Sequence, residues 1–198
     1  MRIISGERRG HKFDGPDDPV TRPTSDMVRE AIFNILADRV EELVVYDLFA
    51  GTGALGFEAI SRGAAFAIFV EKDRRNLALI RRNLATLRFE GRCSIVGADA
   101  YRWAATFTPE GDDPAIVFID PPYRDYEQKP ARVRELIANL VQRLPVGSIL
   151  VVESDRDRDP EEEVLGDRSL WDVRRYGRTE VAIRELDGSE SPESSDVP

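Results

Sequence analysis

The sequence predicts an α/β protein: a mainly parallel, doubly wound sheet with an antiparallel hairpin at its C-terminal side and a small hairpin-and-helix extension at its N-terminal end. Three observations predict it. Five short, near-continuous apolar runs recur from Val44 onward, as strands buried on both faces require. Amphipathic stretches of helical period separate them, and strand–helix alternation implies right-handed βαβ crossovers. The final two strand-like runs lie too close together for a crossover and must pair antiparallel.

The runs are VVYDLF (44–49), AFAIFVE (65–71), CSIVGAD (93–99), AIVFID (115–120) and SILVVES (148–154). In RRNLALIRRNLATLR, Leu77, Ile80, Leu84 and Leu87 fall at helical spacing and leave Arg74, Arg75, Arg81 and Arg82 for the outside. KPARVRELIANLVQRL (129–144) does the same with Val133, Leu136, Ile137 and Leu140. LWDVRRYGRTEVAIREL reads as two strands about a turn at Tyr176 and Gly177. At the other end, RIISGERRGHKF reads as a hairpin around residues 6–10, followed by the loop DGPDDPVTRP. A helix starts near Thr24. Thr24, Ser25 and Asp26 offer capping oxygens, Pro23 discourages an earlier start, and Val28, Ile32, Ile35 and Leu36 form its buried stripe. The expected organisation is an extension over 1–40, a main domain over 41–186, and a Ser/Glu/Pro-rich tail over 187–198 that cannot bury apolar area and should be disordered.

With 198 residues, 41% of them hydrophobic, the chain supports one sizeable core and not comfortably two. A single cysteine, Cys93, excludes an internal disulfide and a thiolate zinc cluster; a single histidine, His11, excludes a His-rich site, so no metal is expected. No apolar run approaches membrane-spanning length, and MRIISGERRG lacks the apolar stretch of a signal peptide. A soluble, cytoplasmic protein with no membrane partner is expected. The net charge of −9 argues against a nucleic-acid partner until its distribution is considered. The acids concentrate in 155–167 and 187–198, whereas MRIISGERRGHK sets Arg2, Arg8, Arg9 and Lys12 against Glu7 alone. Phosphate binding responds to the field within a Debye length, roughly 8–10 Å, so a basic arm works on an acidic protein. A solvated hairpin with incidental arginines is the competing reading.

Two motifs carry the chemistry. Gly51, Gly53 and Gly56 form G-x-G-x-x-G after a strand and before a helix, the context of a nucleotide site. Glu71 closes the next strand, where a carboxylate binds both ribose hydroxyls. This pattern alone suits either NAD or S-adenosyl-L-methionine. Asp47, within the first strand, either receives a ligand's amino group or braces the loop. Asp99, with Ala100 after it, is placed either to meet the adenine amino group or to make an ordinary turn.

The second motif is Asp120, Pro121, Pro122 and Tyr123 after the fourth strand. DPP is by itself a good strand terminator. It also suits methylation of an exocyclic base amine, whose lone pair is delocalised into the ring. Asp120 and the Pro121 carbonyl accept the two N–H hydrogens, the prolines fix these acceptors in advance, and Tyr123 stacks on the extruded base. In a doubly wound sheet the first and fourth strands are neighbours, so the two motifs are expected to share the cleft at the switch point.

At this point the chain resembles the RsmD-type 16S rRNA (guanine-N2) methyltransferases. The matching stretches are MRIISGERRGHKF, RPTSDMVREAIFNIL, DLFAGTGALGFEAISRGA, FVEKD, FIDPPY and YGRTEVAI, nearly everything except the acidic tail. The resemblance implies a Rossmann-like, S-adenosyl-L-methionine-dependent methyltransferase acting on one guanine of 16S rRNA, in the small ribosomal subunit or its assembly intermediate, with an N-terminal extension that helps hold RNA. It implies that 120–123 take the target base, that Gly51, Thr52, Gly53 and Glu71 line the cofactor pocket, and that Arg22, Thr24 and Arg29 contact the methionine end of the cofactor or else cap and ion-pair the helix. It implies that Arg8, Arg9, His11 and Lys12 touch RNA phosphates. A monomer is expected. The alternatives are an adenine-N6 methyltransferase on DNA or RNA, an NAD-dependent dehydrogenase, and a non-catalytic RNA-binding protein. The dehydrogenase leaves 120–123 and the basic arm unexplained.

Overall fold

A computed structural model describes residues 1–16, 25–155 and 164–188. The expected strands form: β1 (Val44–Leu48), β2 (Phe66–Glu71), β3 (Cys93–Gly97), β4 (Ala115–Ile119), β5 (Ile149–Asp155), β6 (Asp172–Tyr176) and β7 (Thr179–Glu185). They make one sheet in the order β3-β2-β1-β4-β5-β7-β6. The first five are parallel; β7 runs antiparallel to β5 and to β6. The helices are α1 (Asp26–Leu36), α2 (Ala54–Ser61), α3 (Arg74–Leu87), α4 (Ala100–Ala105), α5 (Tyr123–Gln128) and α6 (Pro130–Arg143).

The period-two alternation of each strand divides the core into two layers. Tyr46, Leu48, Val70, Val117, Ile119, Leu150 and Val152 point toward α4 and α6, where Tyr101, Ala104, Val133, Leu136 and Leu140 meet them. Val45, Ile116, Phe118, Val151 and Val181 point the other way, onto Val28, Ile32, Phe33 and Leu36 of α1. Beneath β2, Phe69 packs with Phe57 and Ile80 and, from the N-terminal arm, with Ile3 and Phe13. The arm therefore belongs to the main core. No helix among the described residues is long and apolar enough to cross a membrane.

Two expectations need correction at their edges. The N-terminal hairpin closes through a single bridge, Arg2 with Lys12, because the Ile4 and Ser5 amides that a longer ladder would use are held instead by Glu58. Helix α1 begins at Asp26 with Ser25 as its cap, Ser25 Oγ accepting from the Val28 amide at 3.2 Å. Its stripe is completed by Arg29 and Phe33, while Ile35 stays half-buried. The tail beyond 188 and the acidic segment 156–163 lie outside the described residues.

Candidate active site

Strand order changes direction between β1 and β4, and the two are paired in parallel with Leu48 opposite Ile119. Residues 49–53 thus leave one strand beside 120–123 leaving its neighbour. Both motifs open on the carboxyl edge where ligands of doubly wound sheets sit.

The three glycines have different reasons to be there. Gly51 has φ +53°, and a Cβ on it would meet nothing nearer than the Phe49 carbonyl oxygen at 3.8 Å, so the loop faces open space at this point. Gly53 has φ +79°, and a Cβ there would lie 2.6 Å from the Phe57 ring. At Gly56 the clash is with Phe69 at 2.3 Å. Only Gly51 leaves room for a ligand; Gly53, left-handed at the start of α2, makes way for the helix's own Phe57, and Gly56 lets α2 close on β2. Phe49, expected as the last strand residue, is instead left-handed at φ +63° with its ring edge-on to Tyr101 at 5.1 Å. A left-handed phenylalanine costs about 1–2 kcal/mol, and this one turns the chain out of β1 at the cleft.

The acids brace this loop. Glu71 Oε2 accepts from the Gly51 amide at 2.8 Å, and Oε1 accepts from the amides of Lys72 at 2.8 Å and Asp73 at 2.7 Å. Asp47 Oδ2 accepts from the Gly56 amide at 2.9 Å. Burial pushes the Asp47 carboxyl up to about 7, against the Gly56 hydrogen bond and with help from the charge of Glu71. Of the two roles the sequence leaves open for Asp47, the structure displays loop bracing. Asp99 caps α4 through the Arg102 amide at 3.2 Å and ion-pairs with Lys72 at 3.6 Å and Arg132 at 3.5 Å, with Ala100 buried behind it. Thr52 is buried, its carbonyl accepting from Asn83 at 3.2 Å.

Beyond β4, Asp120 and Tyr123 are half-buried, Pro121 is buried, and Pro122 caps α5. Helix α5 is anchored from both sides. Tyr101 donates to Asp125 Oδ2 at 3.0 Å, and Tyr126 donates to the Glu153 carbonyl at 2.7 Å. Tyr123 hydrogen-bonds Thr179; burial, with Asp120 and Glu153 nearby, pushes its phenol up to about 12, so it is neutral at physiological pH. Beside it lies a pocket of about 140 Å³ walled by Ser25 and Val28, by Glu153, and by the β6–β7 turn at Tyr176 and Thr179. The sequence placed this hairpin at the sheet's side; register places its turn at the cleft, since Asp155 at the end of β5 faces Thr179.

The basic arm is docked rather than loose. Glu58, fully buried, takes the Ile4 and Ser5 amides at 2.8 and 2.9 Å, and Ser61 Oγ accepts from the Arg8 amide at 3.1 Å. Asn83 accepts from the Asp14 amide at 2.9 Å and donates to the Asp14 carbonyl at 3.1 Å. Arg9, His11 and Lys12 are exposed; Arg8 is half-buried over the Phe89 ring at 5.9 Å. Arg29 is fully buried, donating to the Arg2 carbonyl at 2.7 Å and to Asp26 at 3.0 Å, with Glu58 at 3.7 Å. Burial pulls its pKa down, partly offset by Glu58 and Asp26. Arg29 therefore takes the ion-pairing role, joining arm to helix. Arg22 and Thr24 lie outside the described residues. Glu58 and Asn83 escaped the sequence reading. Their signal was a polar side chain at an apolar phase: Glu58 between Phe57 and Ala59, Asn83 in register with Ile80 and Leu87.

A glycine loop after β1, an acid at the end of β2, and a seventh strand inserted antiparallel between β5 and β6 make a Rossmann-like methyltransferase fold. It is shared with YhhF of Escherichia coli, which carries a provisional methyltransferase name, at a TM-score of 0.74 and 32% identity over 94% of this chain and 98% of that one. An RNA methyltransferase from Salinibacter ruber, solved in complex with S-adenosyl-L-homocysteine, shares this fold with a TM-score of 0.60 at 19% identity, over 89% of this chain and 100% of that one. The chain belongs to the family described as conserved hypothetical protein 95, whose model matches residues 1–185, arm and C-terminal hairpin included. It is 45% identical to the ribosomal RNA small subunit methyltransferase D of Escherichia coli K12 over 124 residues, 63% of this chain and 61% of that one. It is also 36% identical to YlbH of Bacillus subtilis, which carries a provisional rRNA methyltransferase name, over 183 residues, 92% of this chain and 97% of that one. These matches agree with the family read from the motifs.

Proposed function

We propose that this protein transfers the methyl group of S-adenosyl-L-methionine to the exocyclic N2 amine of a guanine in 16S rRNA, within the small ribosomal subunit or its assembly intermediate. One observation carries the reading: the β1–β4 register sets the glycine loop and residues 120–123 side by side on one cleft. The relatives' names supply the RNA class. The cofactor fits. Gly51 leaves open space over the loop, and the Glu71 carboxylate stands beneath it for ribose hydroxyls. Thr52 and Gly53, next along the loop, and Asp99 and Ala100, after β3, are assigned to the same cofactor, the latter two to its adenine.

When bound, the cofactor supplies an electrophilic sulfonium methyl. Asp120 and the Pro121 carbonyl accept the amine's hydrogens, localising the nitrogen lone pair for attack. Transfer would join the amine nitrogen to that methyl carbon with the C–S electron pair left on sulfur, and Asp120 would take the nitrogen proton and pass it to water. Because α5 is tied through Asp125 to Tyr101 and through Tyr126 to the Glu153 carbonyl, these acceptors need no reorganisation. Tyr123, neutral and held by Thr179, presents its ring to the base. Glu153 and Thr179 wall the adjoining pocket, and their acceptor oxygens suit guanine, which offers N–H donors at N1 and N2; adenine offers an acceptor at N1. Residues 1–40 hold the RNA and 41–186 carry out the transfer.

The test uses cofactor with a tritiated methyl and small-subunit particles from a strain lacking the corresponding enzyme. Label should appear in N2-methylguanosine after nuclease digestion and mass spectrometry. Label on adenine, or none, overturns the guanine assignment. Calorimetry should show S-adenosyl-L-homocysteine binding far more tightly than NADH.

A further inference from the structure

Helix α3 carries four arginines and no acid along its 14 residues, in a chain of net charge −9. Leu77, Ile80, Asn83 and Leu87 are buried, while Arg74, Arg75, Arg81 and Arg82 are exposed on the other side. Ala78 and Ala85, also exposed, keep that side low between the arginine pairs.

Helix stability does not account for this arrangement. Arg74 and Arg75 occupy the first turn, where free amides favour anions and a cation costs about 0.3–1 kcal/mol. Within the helix no acid stands three or four residues from any of the four, and Glu71, ahead of it, directs its carboxylate to the amides of Gly51, Lys72 and Asp73. Arg74, Arg75 and Arg81 have no ion-pair partner among the described residues; Arg82 pairs only with the exposed Asp14, at 3.6 Å.

The same Asp14 joins this face to the N-terminal arm. Asn83 holds its amide and carbonyl, so the arm bearing Arg9 and Lys12 is fixed against α3 rather than swinging beside it. At its other end α3 starts three residues after Glu71, next to the glycine loop.

We infer that the outer face of α3 and the N-terminal arm form one continuous track for RNA phosphates, leading from the arm toward the cleft. This rests on the rRNA reading above. The partner is a phosphate backbone because Arg74, Arg75 and Arg81 are exposed, carry no ion pair among the described residues and have no aromatic side chain between them, so they position RNA without reading its bases.

The test measures binding of a small-subunit rRNA transcript at 50 to 200 mM salt for wild type, for Arg74→Gln/Arg75→Gln/Arg81→Gln, for the matching lysine variant, and for Arg8→Ala/Arg9→Ala/Lys12→Ala. Glutamine preserves helix propensity, and surface changes of this kind stay within about 0.5 kcal/mol of stability. Loss of three phosphate contacts lowers the slope of log K against log salt by about 2. Over this fourfold range wild type should then lose about 15-fold more affinity than the glutamine variant. Lysine should restore the slope, because a phosphate contact needs charge. An unchanged slope in the glutamine variant, with wild type still binding, overturns the α3 track and leaves the rRNA reading standing. Absence of salt-dependent binding by wild type overturns both.

Discussion

Replacing Asp47 by asparagine isolates one buried charge beneath the glycine loop. In the folded protein, burial raises this carboxyl from 3.8 to about 7. In the unfolded chain it titrates near the ordinary value. Between these limits the folded state binds the extra proton, so stability is greatest at low pH, falls as pH rises, and levels off above about 7. A shift of that size corresponds to roughly 4 kcal/mol. Asparagine keeps a carbonyl oxygen for the Gly56 amide, which now sits 2.9 Å from the carboxylate, but it cannot ionise. The stability of Asp47→Asn relative to wild type should therefore rise by about 1.4 kcal/mol per pH unit between pH 5 and 7 and then stay level. Urea denaturation followed by circular dichroism at pH 5, 6, 7 and 8 reads this directly. A difference that is the same at every pH refutes the reasoning, because it would mean that Asp47 has the same pKa in both states.

Asp120→Ala should lower methyl transfer about 10²–10³-fold, as losing one preorganised acceptor does, while S-adenosyl-L-homocysteine affinity by calorimetry is unchanged; joint collapse of both contradicts the division of roles. Gly56→Ala sets a Cβ 2.3 Å from the Phe69 ring and should destabilise by about 1–3 kcal/mol, visible as a lower thermal midpoint; an undiminished midpoint would show that the ring yields freely. Asn83→Leu strands the Asp14 amide and the Asp14 and Thr52 carbonyls and should cost about 2–4 kcal/mol in urea unfolding, with faster proteolysis of the arm; an arm cut no faster than wild type would mean that Glu58 alone holds it.

Much of the architecture was readable because the strands are buried on both faces and so spell themselves as apolar runs. Val45, Ile116 and Val151 needed apolar neighbours on either side, and no partner had to be known. The motif positions were readable for a related reason: Gly51 and Asp120 each follow such a run directly. Legibility failed where one residue serves two distant segments. Nothing local in FEAISRG says that Glu58 will hold Ile4 and Ser5, although its pairing with Arg62 at 2.8 Å is a local contact one helical turn on. Nor does the string YGRT say that Thr179 will meet Tyr123, since that contact depends on β7 slotting between β5 and β6. The strand end at Leu48 was missed by one residue because propensity favours phenylalanine in a strand, whereas the cleft requires the chain to turn away there.

By itself, then, the sequence determined the α/β class, the order of its elements, the two motifs and the family they resemble, because each is written in contiguous residues. Tertiary structure alone decided that Asp47 braces the loop, that Arg29 is buried as an ion-pairing residue, that the hairpin turn walls the pocket, and that the arm and α3 share one basic face. Those outcomes depend on hydrogen bonds and packing between segments far apart in the chain, and such contacts exist only once the sheet has set which strand ends lie together.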